Sequence, residues 1–330
     1  MKMFKLLGSV AAVAAALVAG QAHASLLSFQ TLSGPGYMVS TSGCGSTTQA
    51  CTLSGTVPAG ATIVAAYLYT STFSGGAAAV TSTLNGSPSF GYTPLGFNNF
   101  LEAGRADVTS IVKPVLDVVG GYSFRVTESS FSQDGEALVV VYSDGTAPVN
   151  TIAILDGFSA SGGDSFTLGI QPFTATSSAE MRLGIGFSFD GAGCTGSGQT
   201  SQVTVNGTRI TNNAGCNDDK VQVPFENDAD GNLFTMGGDS DPFSPLLPIT
   251  ADDHERYNLA GQIALGGTSI QVDTLNPSHD DNIFLAVFKL SGQATVCTGP
   301  NCAVPEPMSL VLVGLGLAGL GVQRKLSKRA

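Results

Sequence analysis

Asn282-Ile283-Phe284-Leu285-Ala286-Val287-Phe288-Lys289-Leu290 is apolar at almost every position. Side chains of a strand alternate between its two faces, so Ile283, Leu285 and Val287 are expected on one face and Phe284 and Phe288 on the other. A strand that is apolar on both faces belongs in the middle of a structure, covered by a layer on each side. That reading sets the fold class as all-β: a β-sandwich, either single or as two packed sandwiches.

Strand signals recur upstream of this stretch. Thr62 to Tyr69 is a second, nearly continuous apolar run, entered from Pro58-Ala59-Gly60. Thr81 to Leu84 and Ser87 to Phe90 flank Asn85-Gly86, the residue pair that suits a type I′ hairpin turn. Tyr122 to Thr127 alternates, and Ala137 to Tyr142, Thr151 to Phe158 and Glu180 to Phe189 are rich in β-formers. Gln202 to Val205 turns at Asn206-Gly207 into Thr208 to Ile210, and Ser269 to Asp273 precedes the opening stretch. Only Asp107 to Leu116 predicts a helical turn, with Asp107 as its cap and Pro114 ending its regularity. The expected organisation is a sandwich region over 25–292, with sub-domains 25–150 and 151–292. The seam between them falls at Ser143 to Asn150 or at Ser159 to Gly163, and a linker covers 293–303.

The two ends read as processing segments. Lys2 and Lys5 precede an apolar, Ala-rich run from Leu6 to Gly20. Ala22-His23-Ala24 is then a small-x-small cleavage site, so residues 1–24 are a signal peptide and the mature chain starts at Ser25. At the other end Val304-Pro305-Glu306-Pro307 leads into an uncharged run from Met308 to Val322, followed by Arg324, Lys325, Lys328 and Arg329. The two prolines hold the chain extended. The run has 15 residues, short of the roughly 20 that span a bilayer, and the basic end would stay on the cytoplasmic side.

This order of turn, apolar helix and basic stop over 304–330 resembles the PEP-CTERM sorting signal of Gram-negative bacteria, which an exosortase recognises and cleaves. The resemblance implies export, an inner-membrane-anchored precursor, and then a cell-surface or extracellular form in bacteria that make exopolysaccharide. It implies signal peptidase and exosortase as processing enzymes and no activity for the passenger. Two further stretches, Pro58-Ala59-Gly60-Ala61-Thr62 with Ala66-Tyr67-Leu68-Tyr69, and Asn276 to Phe284, resemble uncharacterised β domains of bacterial surface proteins. They imply a β fold and a surface setting.

Without both signals the passenger keeps eight basic residues against 24 acidic ones, a net charge near −16. No basic stripe is left to neutralise phosphates, which argues against nucleic acid. Six Cys in an exported chain point to disulfides. Local closure costs least entropy and favours Cys44 with Cys51, Cys194 with Cys216 and Cys297 with Cys302. The alternative, a thiolate metal site, lacks any Cys-x-x-Cys.

Asn217 to Arg256 carries ten acidic residues against Lys220 and Arg256. Within it Glu226, Asp228, Asp230 and Gly231 set oxygen ligands on alternate residues before a glycine, a spacing that suits Ca2+. Position twelve of an EF-hand loop would be Gly237, so that motif fails. Asp239, Asp241, Asp252, Asp253 and Glu255 are more distant donors. The block reads either as a solvated acidic loop or as a Ca2+ site. Gly163-Asp164-Ser165-Phe166 resembles the nucleophile block of one esterase class, but that chemistry needs a histidine base. Only His254 and His279 remain in the mature chain, neither in an Asp-x-x-His setting. Sugar binding lacks its best platform, since Trp is absent. The expected function is therefore an exported, non-enzymatic surface or matrix protein linked to exopolysaccharide or biofilm. The alternative is a calcium-dependent carbohydrate-binding or adhesive module.

Overall fold

The computed structural model describes residues 25–45, 48–73, 76–98, 101–118, 120–146, 148–159, 162–186, 201–215, 234–249, 252–277 and 282–298. In chain order these residues form β1 (Leu27–Pro35), β2 (Tyr37–Gly45), β3 (Ala50–Gly55), β4 (Thr62–Phe73), β5 (Thr81–Leu84), β6 (Phe90–Gly91), β7 (Thr93–Asn98) and β8 (Leu101–Asp107). The helix α1 (Thr109–Leu116) follows, then β9 (Tyr122–Glu128), β10 (Gln133–Ser143), β11 (Val149–Asp156), β12 (Ser165–Ile170) and β13 (Ala179–Gly186). The last third holds β14 (Ser201–Val205), β15 (Thr208–Ala214), β16 (Phe234–Met236), β17 (Arg256–Asn258), β18 (Ser269–Leu275), β19 (Asn282–Ser291) and β20 (Ala294–Thr298).

The strands make four antiparallel sheets stacked as layers. The central sheet runs β1-β11-β19-β13-β16, with β17 also on β13. On one side lies β15-β14-β18-β12-β20, and the core between them holds Leu155, Phe166, Leu183, Val205, Ile270 and Phe288. On the other side lies β2-β10-β4-β8-β7, joined to the central sheet by Tyr69, Val139, Ile154, Phe158, Phe234 and Val287. The outer face of that sheet is covered by β3-β9-β5-β6, with Leu53, Leu68, Phe124, Val126, Leu138 and Val140 between. The molecule is thus two sandwiches packed back to back. The chain leaves the first after Ser143 and enters the second at Val149. Yet β1, the first strand of the chain, pairs β11 in the central sheet, Leu27 opposite Asp156.

β19 is buried along its whole apolar length, as a strand between two layers should be. Its alternation is not the simple one expected. The register against β13 passes from Gly184↔Leu285 to Ile185↔Ile283, so Phe284 is an extra residue in a β-bulge. Ile283, Ala286 and Phe288 therefore face one core and Phe284, Leu285 and Val287 the other. The Asn85-Gly86 turn has both residues at positive φ, 48° and 74°, as a type I′ turn requires. Ser87 to Phe90 does not continue as a strand, because Pro88 offers no donor. Pairing resumes only at Phe90↔Ser82, and Leu84 pairs Val126 of β9 instead. The helix starts two residues later than expected, with Val108 rather than Asp107 at its N-cap, although Asp107 Oδ1 still accepts from the Thr109 amide at 2.9 Å. It runs past Pro114 to Leu116, since its Val112 and Leu116 are buried. Residues 294–298, expected within a linker, form β20 on β12, Leu168 opposite Val296.

Candidate functional site

The mouth of the first sandwich, between β9 and β10, holds three buried carboxyls. Period-two alternation puts Glu128 on the same inward face as Tyr122, Phe124 and Val126. Glu136 is inward for the same reason, in line with Leu138 and Val140 of β10. It accepts from Ser82 Oγ at 2.8 Å, from Tyr92 Oη at 2.8 Å and from Gln133 Nε2 at 3.1 Å. Neither oxygen of Glu128 has a hydrogen-bond partner, nor does Oδ2 of Asp134. Burial pushes Glu128 and Glu136 far above the ordinary carboxylate range; Glu136 and Asp134 add to the shift at Glu128, while at Glu136 the accepted hydrogen bonds partly oppose it. Burial alone lifts Asp134 to about 8. Burial favours the protonated form of all three, and they form a structural polar plug. Composition hid them among 24 acidic residues, but the alternation of Tyr122 to Glu128 was the signal that could have found the first.

A second set of charges joins three layers. Arg182 of β13 donates to Glu180 at 2.7 Å, to Asp239 at 2.7 Å and to Thr41 of β2 at 2.6 Å. Arg256 of β17 donates to the same Glu180 oxygen at 2.8 Å. Asp239 also accepts from Ser40 Oγ, and from the Thr56 amide, just beyond β3, at 3.1 Å. Removing one member of such a buried pair leaves the other charge uncompensated, at a cost of about 3–5 kcal/mol. Between β4, β8 and β11, Asp156 accepts from Tyr69 at 3.1 Å and from Arg105, whose guanidinium lies 3.4 Å above the Phe29 ring.

In the described part of the acidic block Asp241, Asp253 and Glu255 are buried and bound within the fold, while Asp252 is exposed. Glu255 accepts from the Gly215 amide at 2.8 Å and from Thr235 at 2.9 Å. Asp253 accepts from Thr211, and from Tyr257 at 2.6 Å, while Asp241 accepts from the Gly238 amide. Among the described residues no three His, Cys, Asp or Glu side chains stand together as a metal site. Glu226, Asp228 and Asp230 lie outside those residues, as do Ala22, Ala24 and the sorting segment from Val304 to Arg329. Of the expected disulfides, Cys44–Cys51 is present, and Cys297 is also disulfide-bonded. Cys194, Cys216 and Cys302 are not among the described residues. Ser165, exposed at the start of β12, donates to Asp273 Oδ1 at 2.7 Å and accepts from Gln271 at 2.6 Å. Among the described residues its hydroxyl meets no histidine, and His279 lies outside them.

One open cleft of about 600 Å³ lies where the central sheet meets the β12–β20 sheet. Its walls are the start of β11, the segment 171–178 that follows β12, and the turn from β19 into β20. No lining residue is charged. Sequence reasoning missed it because its residues come from three separate stretches, 148–149, 170–179 and 290–293, that meet only in the fold.

Residues 303–325 match the family model for the PEP-CTERM protein-sorting motif. No curated protein matches the chain. Among solved structures, N-glycanase F (PNGase F) is 11% identical, with a TM-score of 0.27, over 79% of this chain and 99% of its own. Wild-type BuGH86 in complex with neoagarooctaose is 11% identical, with a TM-score of 0.24, over 81% of this chain and 35% of its own. Likeness at that level bears on neither activity nor ligand. What places the chain is its C-terminus, which carries the PEP-CTERM sorting motif of exported surface proteins that an exosortase processes.

Proposed function

We propose that this chain is an exported, non-enzymatic protein of the cell surface or extracellular matrix, linked to exopolysaccharide. One observation carries the reading: the sorting motif at 303–325 begins five residues after β20, the last strand of a four-layered β stack. The internal chemistry supports it. Glu136, Asp239, Asp253 and Glu255 are bound to partners within the fold, and Ser165 is engaged by Asp273 and Gln271. The test is the intact mass of the protein released by an exosortase-competent host. The expected species begins at Ser25 and lacks Arg324, Lys325, Lys328 and Arg329. A released species still ending in Ala330 overturns the processing claim, and a matrix unchanged by deleting the gene overturns the link to exopolysaccharide.

A second reading, a carbohydrate-binding module, is favoured by the uncharged cleft. Its polar groups are hydroxyls and amides, so calcium is not needed for it.

A further inference from the structure

We propose that the cleft between the central sheet and the β12–β20 sheet is a binding site for a neutral glycan chain. The proposal rests on the surface-protein reading above and gives it a ligand class and an address.

The size is right. About 600 Å³ falls in the range of roughly 300–1,000 Å³ typical of small-ligand sites. The lining is a mixture that a sugar needs. Pro148, Val149 and Pro172 offer apolar faces for ring C–H groups, while Thr176, Gln171 and Gln293 offer hydroxyl and amide heads. The Gln171 and Gln293 side chains are exposed and make no hydrogen bond within the described structure. Each amide head can donate and accept at once, which suits adjacent sugar hydroxyls. The passenger carries a net charge near −16, from 24 acidic and eight basic residues, yet the cleft has no charge at all. An anionic polymer would be repelled by the surroundings and find no cation inside. A neutral one meets neither problem.

The walls are built before any ligand arrives. Phe173 is buried, its amide donates to Gly267 at 2.9 Å and its carbonyl accepts from Gly266 at 2.7 Å. The Thr174 amide donates to Ser177 Oγ at 3.0 Å, and the Ser178 amide donates to Ser291 Oγ at 2.8 Å, tying this wall to the end of β19. Gly292, at φ 79°, lets Gln171 lie against the turn: a Cβ there would stand 2.8 Å from Gln171 Oε1. A preformed site loses little entropy on binding.

The address fits as well. Val149 of β11 lines the cleft, and Asp156 at its other end pairs Leu27, two residues from Ser25. β20 begins beside the cleft and runs away from it to Thr298, toward the motif at 303–325. Leu27 and Thr298, at the described start of β1 and end of β20, thus both lie at the end of the sandwich opposite the cleft. β11 has eight residues, roughly 26 Å of strand.

The experiment titrates the full exported chain with neutral hexasaccharides of glucose and of N-acetylglucosamine, with oligogalacturonate, and with an uncharged hexapeptide. Chemical-shift changes or heat report binding up to millimolar concentration. The expected result is saturable binding of at least one neutral sugar, weakened about tenfold or more, equivalent to about 1.4 kcal/mol, in Gln171→Ala/Gln293→Ala. Thr295→Ala, exposed on β20 outside the cleft, should bind as wild type. Preference for oligogalacturonate or the peptide, no neutral binding up to 10 mM, or binding unmoved by the double substitution each overturns the proposal. A protein correctly processed and released but blind to every sugar would sink the glycan site alone. A protein never processed would sink the surface reading, whatever the cleft binds.

Discussion

At the scale of single residues, the unusual members are the carboxyls inside the first sandwich. Glu128 is protonated in the fold because burial penalises its charge, whereas in the unfolded chain it ionises above its ordinary value of 4.5. A group with its folded pKa raised confers stability that is whole below the unfolded pKa and is lost as pH climbs toward the folded one. Stability should therefore fall between pH 5 and pH 8, with Glu136 and Asp134 contributing in the same sense. Glu128→Gln removes one such proton and should flatten the profile, gaining at least about 1.4 kcal/mol over wild type at pH 8, the value of a single pKa unit. Urea unfolding at a series of pH values measures both. A wild-type profile level across that window, or a variant equally steep, contradicts the protonated state.

At the scale of elements, the strands with two apolar faces or strict alternation were plain in the sequence. β4, β9, β10, β11 and β19 follow from their runs of Val, Ile, Leu, Phe and Tyr. β2 was not legible, because Tyr37 to Gly45 is mostly Ser, Thr and Gly: it is buried by its neighbours rather than by its own hydrophobicity. β20 was missed because a short Thr- and Val-containing segment beside a proline-rich tail looks like a connection until β12 is there to pair it. Phase was the other loss. A pattern of period two cannot reveal the bulge at Phe284, since Leu285 and Ala286 are both acceptable on either face. Gly186 on β13 shows how closely the layers meet: a Cβ there would fall 2.2 Å from Ser71 Oγ of β4. Gly186→Ala should cost about 1–3 kcal/mol by overpacking. Gly261→Ala, with open space around it, should stay within about 0.5 kcal/mol. Thermal melts of both variants give the comparison, and equal melting temperatures would mean that the two layers stand further apart.

At the scale of the whole molecule, the sequence made the β class and the delivery route legible, while the cleft was not. A site assembled from the ends of β11, β12 and β19 has no local signature, and hydroxyl-bearing residues are everywhere in this chain. The four sheets also act on one another. Tyr69, Phe158, Phe234 and Phe284 form a core shared by both sandwiches, and β1 belongs by sequence to one and by pairing to the other. Heating should thus unfold the described stack in one transition, with near- and far-UV signals coincident. Two resolved transitions would make the sandwiches independent units. The pairing of the central sheet also fixes an order of assembly. β1 is the first strand to cross the membrane, yet its partner β11 begins 114 residues after it ends, counted from Pro35 to Val149. β11 in turn waits for β19, from Asp156 to Asn282. Such long-range pairing is slow and leaves strand edges open in the meantime. β19 ends only seven residues before Thr298, the last described residue, so the central sheet can close only when nearly the whole strand set is present. A chain that lacks its last sixth therefore lacks the middle of the molecule rather than its edge, because β19 lies between β11 and β13.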